Sequence, residues 1–176
     1  MAIDEKLDSN FIDFVKLAPR HNLKDFDATE INGSDPAGLQ EFIQEEALTH
    51  QAENLGVTYL VTYKNTIVGF LTLAMGNIPA RKIDLEEAKD KRTKRPYPAL
   101  LLGRLAVHKP WRSKGIGTFM MDWVSGLARD LSRFIGCRYI YLHCAMDKTG
   151  YYERRGFMLC EEDEDRPPKW MYKKIV

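Results

Sequence analysis

The chain has 176 residues, of which 44% are hydrophobic and 29% are charged. This length is typical of one domain, and the composition excludes disordered, collagen-like and disulfide-scaffold proteins. The 26 lysine and arginine residues almost cancel the 25 acidic residues, which leaves a formal charge of +1. That balance argues against a protein whose whole surface binds polyanions. We therefore expect a single globular domain over residues 1–176.

Cysteine usage and the absence of targeting signals predict the compartment. The chain has three cysteines, Cys137, Cys144 and Cys160, with no CxxC pair and no histidine at zinc-ligand spacing. This pattern fits a reduced compartment and predicts no metal site. The start of the chain lacks the basic and then apolar run of a signal peptide, and no stretch reaches the roughly 18 apolar residues of a membrane span. We expect a soluble, cytoplasmic protein with no membrane partner.

The first half of the chain predicts strands around one helix. Residues 11–17 have the composition of a strand. Asp35-Pro36 resembles a helix cap followed by proline at the first helical position, and apolar residues at helical spacing extend that helix over about 37–53. Two runs rich in β-branched and aromatic residues, 57–63 and 67–75, flank a three-residue turn and predict a hairpin.

The second half predicts a strand–helix–strand unit. Leu100 to Val107 is almost continuously apolar, which predicts a strand buried on both faces. A helix follows, with an apolar stripe from Ile116 to Phe134, and residues 139–142 form a second buried strand. A hairpin followed by such a unit predicts a mixed α/β domain with one sheet. The remaining predicted elements are helices near 84–92 and 148–155 and strands at 157–160 and 170–175.

The turn after residue 107 carries the strongest functional signal. Gly115 and Gly117 stand at the start of the amphipathic helix, where glycine lets a ligand approach and the helix N-terminus offers unpaired N–H groups. Lys109, Arg112 and Lys114 add positive charge. Together they predict a pyrophosphate cradle, with a packing role for the glycines as the alternative. P-loop and dinucleotide-fold patterns do not fit, because the Walker lysine and the third glycine are absent.

Two motifs give the chain a resemblance to the GNAT acetyltransferase superfamily. Arg112-Ser-Lys-Gly-Ile-Gly117 resembles the Q/R-x-x-G-x-G/A motif, and Tyr151-Tyr-Glu-Arg-Arg-Gly-Phe157 is similar to the closing F-Y-x-x-x-G-F element. The motifs occur in the right order, about 35 residues apart, and the resemblance covers roughly residues 57–160. It implies the GNAT fold, an α/β (α+β) architecture whose single mixed, mostly antiparallel sheet has a splayed parallel central strand pair and flanking helices.

A closer resemblance is to toxin-type GNAT proteins that acetylate the amino acid on charged tRNA. The segment from Tyr97 to Val107 is similar to their P-x-x-L-L-G-R-L-A-V strand, and residues 39–43 and 58–61 are similar to their upstream elements. The chain departs from them in an acidic insert, Glu161 to Asp165. This resemblance implies acetyl-CoA as cosubstrate and an amine acceptor such as charged tRNA. It leaves a homodimer open, and no antitoxin partner is visible in the sequence.

The resemblance also assigns site residues. It implies that Tyr152 is the general acid, and a phenol can protonate a departing thiolate because thiol pKa values lie near 8.5 and phenol values near 10. The alternative is that Tyr151 and Tyr152 are core aromatics. The resemblance implies that pantetheine binds the strand backbone at Leu105, Ala106 and Val107. It implies that the pyrophosphate binds the backbone N–H groups of Arg112, Ser113, Lys114, Gly115, Ile116, Gly117 and Thr118.

No general base is evident in the sequence. The central strand from residue 99 to 107 contains no carboxylate, and His108 and His143, the nearest titratable side chains, are more simply read as structural. An α-amine, with a pKa near 7.7–8.0, is already partly neutral, whereas a lysine amine near 10.4 needs help. We therefore predict direct transfer to an α-amine, with water relaying the proton. Charged tRNA ranks first, a protein N-terminus second and a small amine third.

Two further residues have chemistry that the predicted reaction does not use. Cys144 follows a buried strand and has no base partner, so we predict a core cysteine rather than a ping-pong nucleophile. Arg104 lies within an apolar strand, and burying an unpaired guanidinium is costly. Arg104 should therefore have a partner or face the acceptor cleft.

The distribution of charge leaves other functions open. From Lys91 to Met121 there are eight basic and no acidic residues, so the rest of the chain has an excess of seven acidic residues. The basic run 91–95 is either solvated surface or a contact for a polyanionic acceptor. The alternatives to an enzyme are a non-catalytic acyl-CoA-binding regulatory module on the same fold and a basic RNA-binding module.

Overall fold

The structure is a computed structural model that describes residues 7–83, 95–160 and 168–175. The predicted helix near 84–92, most of the basic run 91–95 and the acidic insert 161–165 lie outside these ranges. Within them the chain forms seven β-strands: β1 (Ile12–Lys16), β2 (Val57–Tyr63), β3 (Thr66–Ile78), β4 (Tyr97–Val107), β5 (Tyr139–Cys144), β6 (Met158–Leu159) and β7 (Lys169–Lys174).

Four α-helices accompany these strands in the described ranges. They are α1 (Leu39–Glu41), α2 (Ala47–Ala52), α3 (Ile116–Ser132) and α4 (Thr149–Glu153), and a π-helical turn, Phe42–Glu46, joins α1 to α2. The predicted short helix near 148–155 and the strands predicted at 139–142, 157–160 and 170–175 are confirmed within a few residues.

The strands form one mixed sheet in the order β1-β2-β3-β4-β5-β7-β6. The β1/β2, β2/β3, β5/β7 and β6/β7 pairs are antiparallel, whereas β4 and β5 are parallel. The parallel ladder joins Ala99–Leu102 to Tyr139–Leu142 and ends there, although β4 continues to Val107. The predicted sheet, mostly antiparallel with one parallel pair that separates before the strands end, is confirmed.

Backbone packing divides the chain into two units. One comprises Met1–Leu73 with Arg104–Asp122, and the other comprises Ala74–Gly103 with Trp123–Val176. The first unit has a core in which Phe42, Leu60, Phe70 and Ala106 are buried together. The second has an aromatic core that includes Tyr139, Tyr141 and Tyr172. That the two units make a single domain stays a prediction.

The first helical segment begins two residues later than predicted. Gly38 adopts a left-handed backbone conformation (φ 61°), so α1 begins at Leu39, and the predicted place of Pro36 as the first helical residue is wrong. Asp35 caps the helix nevertheless. Its Oδ1 accepts a hydrogen bond from the Leu39 N–H at 2.8 Å, and its Oδ2 accepts one from the Gln40 N–H at 3.0 Å. The cap was therefore predictable, whereas the intervening turn was not.

The predicted hairpin is confirmed as β2 and β3. Its turn places Lys64 and Asn65 in the left-handed region, with φ values of 48° and 66°. Two successive positive φ values are typical of the two-residue turns whose twist matches that of paired strands. The turn therefore places Lys64 at the end of the β2 and β3 pair.

Two burial predictions need correction. Phe134, which we predicted at the end of the apolar helix stripe, lies beyond the end of α3 at Ser132 and is 88% exposed. The earlier part of the stripe is confirmed, because Ile116, Met120 and Val124 are buried and Leu127 is partly buried. Burial of β4 on both faces holds at Ala99 and Leu100 but fails at Gly103, which is exposed. The strand loses its cover where the parallel ladder ends.

Candidate active site

The predicted cradle is the turn between β4 and α3. A short 3-10 turn, Lys109–Trp111, follows the strand, and α3 begins at Ile116. Between them Ser113 and Gly115 adopt left-handed conformations, with φ values of 62° and 88°. A Cβ at Gly115 would meet no atom within 4 Å, so this glycine is required for its backbone conformation and not for close packing. The packing alternative therefore does not apply at Gly115.

Five successive backbone N–H groups in this turn are available to a ligand. The Arg112 N–H donates to the Lys109 carbonyl at 3.3 Å, and the Thr118 N–H donates to the Gly115 carbonyl at 3.0 Å. Among the described residues, the N–H groups from Ser113 to Gly117 have no such acceptor. Unpaired amides at a helix N-terminus, preceded by left-handed residues, favour a bound anion. The turn therefore fits a pyrophosphate, and its free amides are fewer than the predicted seven.

The Arg112 side chain braces the turn. Its Nε donates to the Val107 carbonyl at 3.2 Å, and its Nη2 donates to the carbonyls of Ala28 and Thr29 at 3.0 and 2.8 Å. Sequence analysis counted this guanidinium among the charges around the cradle. Its donors instead hold the turn against a segment more than 80 residues earlier. The bond to Val107 also occupies the carbonyl of one residue of the predicted pantetheine strand.

The two lysines of the turn have different environments. Lys109 Nζ lies 3.2 Å from Thr29 Oγ1 and 3.5 Å from Asp27 Oδ2. The hydrogen bonds from Thr29, assisted by Lys109, hold the pKa of the Asp27 carboxyl below its usual range. Lys114 is exposed, and its Nζ lies 5.1 Å from the centroid of the Trp111 ring. Lys114 therefore remains a cation that can reach an anion on the turn.

Tyr152 lies on α4, in the second unit. Its ring contacts those of Tyr151 and Phe157, with centroid distances of 5.0 and 5.9 Å. The Phe157 N–H donates to the Tyr152 carbonyl, and Gly156 ends the segment with a φ of 80°, which explains the glycine of the closing motif. Burial raises the pKa of the Tyr152 phenol well above its usual value, and Tyr151 and Cys144 add to the effect. The phenol therefore stays protonated near neutral pH.

Other titratable candidates have structural environments. The His108 Nδ1 accepts a hydrogen bond from the Asp27 N–H at 2.9 Å, and its ring stacks on Phe26. Cys144 is buried with its Sγ 3.6 Å from Met171 Sδ, and burial, with Asp147 and Glu153 as smaller causes, raises the pKa of the thiol. These contacts favour a structural interpretation of His108 and Cys144, which stays a prediction.

His143 differs from His108, because it is exposed, although its neighbours in β5 are buried. Its ring centroid is 4.1 Å from that of Trp170. The two residues are directly paired across β5 and β7.

Arg104 has the partner that its place in an apolar strand required. Its guanidinium lies over the ring of Phe42, 3.6 Å from the centroid. Burial lowers the pKa of Arg104, and the nearby Glu46 carboxylate opposes that shift. Phe42 begins the π-helical turn and Glu46 ends it. Sequence analysis missed this contact, because nothing in the spacing of the helix signalled a π-helical turn.

Comparison with known proteins defines the class. Residues 22–157 match the acetyltransferase (GNAT) family. The chain therefore belongs to the GNAT acetyltransferase family, and the predicted enzyme class, an acetyltransferase that takes its acetyl group from acetyl-CoA, is confirmed.

One relative and two neighbours of known structure are particularly similar to this chain. A tRNA-acetylating toxin of Mycobacterium tuberculosis is 25% identical over 132 residues, which cover 75% of this chain and 78% of the toxin. A mutant of KacT shares the fold with a TM-score of 0.80 and 16% identity, covering 93% of this chain and 95% of its own. AtaT complexed with acetyl-methionyl-tRNAfMet has a TM-score of 0.76 and 15% identity, covering 93% and 94%. AtaT has also been solved bound to the C-terminus of the antitoxin AtaR.

Two further properties of the described ranges concern membranes and metals. None of the helices in the described ranges has the length and apolar character needed to cross a membrane. Over the same ranges, no three histidine, cysteine or acidic side chains come together as metal ligands would.

Proposed function

We propose that this acetyltransferase transfers the acetyl group of acetyl-CoA to the α-amino group of an amino acid esterified to tRNA. The observation that carries the donor half is the run of five free amides at the start of α3. The acceptor half is supported by the similarity to the tRNA-acetylating toxin and to AtaT, which was solved with acetyl-methionyl-tRNAfMet. The lack of a carboxylate on β4 favours the same acceptor, because an α-amine needs little help to lose its proton.

In this proposal the turn holds the donor by its phosphates. The amides from Ser113 to Gly117 bind the pyrophosphate, and the partial positive charge of the α3 N-terminus adds to their attraction. The brace from Arg112 fixes the turn before the donor arrives, so little order is lost on binding. The backbone of Leu105, Ala106 and Val107 directs the pantetheine arm.

Tyr152 acts as the general acid. The neutral α-amine nitrogen bonds to the acetyl carbonyl carbon, the carbon–sulfur bond breaks, and the departing thiolate takes the phenolic proton of Tyr152. The proton lost by the amine passes to water, and the phenol regains one from solvent. The products are N-acetylaminoacyl-tRNA and CoA. The phenol is protonated throughout the neutral range, as any phenol is, and burial, which raises its pKa, makes it a weaker acid in the free protein.

The acceptor implies a location and a partner. Charged tRNA belongs to the translating cell interior, so we place the protein in the cytoplasm. An antitoxin is the regulatory partner that the AtaT neighbour makes plausible, since AtaT binds the C-terminus of its own. The proposal treats residues 1–176 as one catalytic domain and leaves a homodimer open.

One labelling experiment tests the proposal. Acetyl-CoA labelled in the acetyl group is incubated with the protein and a mixture of charged tRNA, cell protein and small amines. We expect the label in the tRNA fraction, released by mild alkali as an N-acetyl amino acid, and no such label with Tyr152→Phe. Label in protein or in small amines would overturn the acceptor. If acetyl-CoA binds and no pool becomes labelled, the chain is the regulatory acyl-CoA-binding module instead.

A further inference from the structure

One charged side chain of β4 has no hydrogen-bond acceptor. Arg104 is partly buried, yet in the described part of the chain none of its N–H groups has an acceptor and no acidic side chain lies within ion-pair distance. Glu46, the carboxylate whose charge acts on Arg104, lies 3.6 Å from His50 instead. Arg112 shows the contrast, because three carbonyls accept hydrogen bonds from its guanidinium. A guanidinium partly removed from water without acceptors is costly, so Arg104 points to a ligand.

Aromatic packing fixes the position of Arg104. Its guanidinium carbon lies 3.6 Å from the centroid of the Phe42 ring, which is fully buried. The Phe42 ring packs in turn against Phe70 and His50, with centroid distances of 6.3 and 5.4 Å. An aromatic face stabilises the charge of a guanidinium, but its N–H donors still need acceptors. The guanidinium is therefore positioned with its donors available.

The ring beneath Arg104 belongs to an irregular helical turn. Phe42 begins the π-helical turn, and its carbonyl accepts a hydrogen bond from the Ala47 N–H, one residue further along the chain than in an α-helix. Such turns are rare and occur frequently at functional sites. The irregular backbone and the guanidinium without acceptors are independent observations at the same place. Both are typical of a binding site.

We infer that Arg104 binds the phosphate of the terminal nucleotide of the charged tRNA. The inference rests on the proposed function, in which the pantetheine arm runs from the cradle along β4 from Val107 to Leu105, so that the acetyl group lies towards Arg104. An acceptor at that position presents an α-amine, an ester, a ribose and then a phosphate. Only the phosphate has the negative charge that complements a guanidinium, and its oxygens match the paired donors of the arginine fork. The phosphates of CoA already have the cradle.

Two small acceptors isolate this contact: an aminoacyl-adenosine, which has no phosphate, and the same ester with a 5′-phosphate. Both carry the amino acid that the labelling experiment recovers from tRNA. With acetyl-CoA saturating, we expect wild type to use the phosphorylated ester with a KM about 10–100-fold lower than that of the other. Arg104→Met should remove this difference, raise the KM for charged tRNA to a similar extent and leave the aminoacyl-adenosine unaffected. The kcat should stay within about threefold, because the phosphate is bound alike before and during transfer.

Three controls accompany this variant. Arg104→Lys keeps the charge but not the fork, so it should restore part of the difference between the two esters. Arg20→Met removes one charge from an exposed arginine and should match wild type with both esters. The Kd for acetyl-CoA, measured by calorimetry, should stay within about twofold of wild type in every variant, which shows that each is folded with its donor site intact.

Equal KM values of wild type for the two esters would overturn the inference, as would an unchanged KM for charged tRNA in Arg104→Met. So would an Arg104→Met variant that raises the KM for both esters alike, because the side chain would then bind the ester or only cover Phe42. A loss of acetyl-CoA affinity in that variant would also overturn it, because Arg104 would then belong to the donor site. If wild type acetylates none of the three acceptors, the acceptor half of the proposed function fails, and the inference fails with it.

Discussion

The turn at Ser113–Gly117 and the helix α4 contribute opposite kinds of chemical group. The turn offers exposed backbone amides. Its shape depends on left-handed residues and on the hydrogen bonds that the Arg112 guanidinium donates to backbone carbonyls. Helix α4 offers one side chain, the partly buried Tyr152 phenol, whose pKa is raised by desolvation. The turn therefore depends on its backbone conformation and on the Arg112 side chain that holds it, and supplies no reacting side chain. The phenol, in contrast, depends on a single oxygen atom.

Removing that oxygen should have the largest effect. Tyr152→Phe keeps the ring contacts with Tyr151 and Phe157 but cannot donate a proton, so we expect kcat to fall by about 10²–10⁴. The Kd for acetyl-CoA should stay within about twofold of wild type. Steady-state release of CoA with charged tRNA gives kcat, and calorimetry gives Kd.

The neighbouring tyrosine supplies the control for this variant. Tyr151→Phe removes a hydroxyl from the same helix and should leave kcat within a few-fold of wild type. If the two variants lose activity equally, α4 is only a packing element, and Tyr152 has no acid role.

Changing the backbone of the turn should act on binding. Gly115→Ala makes a φ of 88° cost roughly 1–2 kcal/mol, so the turn of the free variant should relax to another conformation, and recovering the binding conformation should raise the Kd for acetyl-CoA about tenfold. Gly126→Ala is the matched control, because that glycine lies inside α3 at an ordinary φ with open space around it. Titration of both variants with acetyl-CoA decides the matter. Normal binding by Gly115→Ala would show that the turn does not need its left-handed residue.

High pH should reveal the buried phenol as a loss of stability. The folded-state pKa of Tyr152 is raised, so its contribution is complete below pH about 10, the ordinary phenol value, and is lost as the pH rises above it. We expect wild type to lose up to about 1.4 kcal/mol per pH unit more than Tyr152→Phe over that range. Urea unfolding of both proteins between pH 9 and 11 measures the difference. Parallel curves would mean that the phenol is not buried in solution.

Cys144 should show the smallest effect. Its thiol is buried, and its raised pKa keeps it protonated. We expect Cys144→Ala to keep kcat within about twofold of wild type and to lose about 1–2 kcal/mol of stability through a small cavity. A kinetic assay and a urea titration measure these. An acetyl group trapped on the thiol of wild type, absent from the variant, would contradict direct transfer.

The sequence predicted the elements whose signals are local. The hairpin, the capping role of Asp35 and the position of the cradle all follow from residues close together in the chain. The roles of Arg112 and Arg104 were not predictable, because the contacts of Arg112 with Ala28 and Thr29, and of Arg104 with Phe42, join segments more than 60 residues apart. The raised pKa of Tyr152 depends on burial, which spacing alone does not give. The family motif located these residues without saying what their side chains contact.

The central claim is that the turn binds the donor and that α4 supplies the acid. Two measurements on the same preparations of wild type, Gly115→Ala and Tyr152→Phe test it. They are the calorimetric binding of acetyl-CoA and the single-turnover acetylation of charged tRNA. We predict that Gly115→Ala loses affinity but reaches the wild-type transfer rate when acetyl-CoA is saturating. We predict that Tyr152→Phe keeps the affinity and loses the rate. If each variant loses affinity and saturated rate together, binding and proton donation are not divided between these two elements, and the account is wrong.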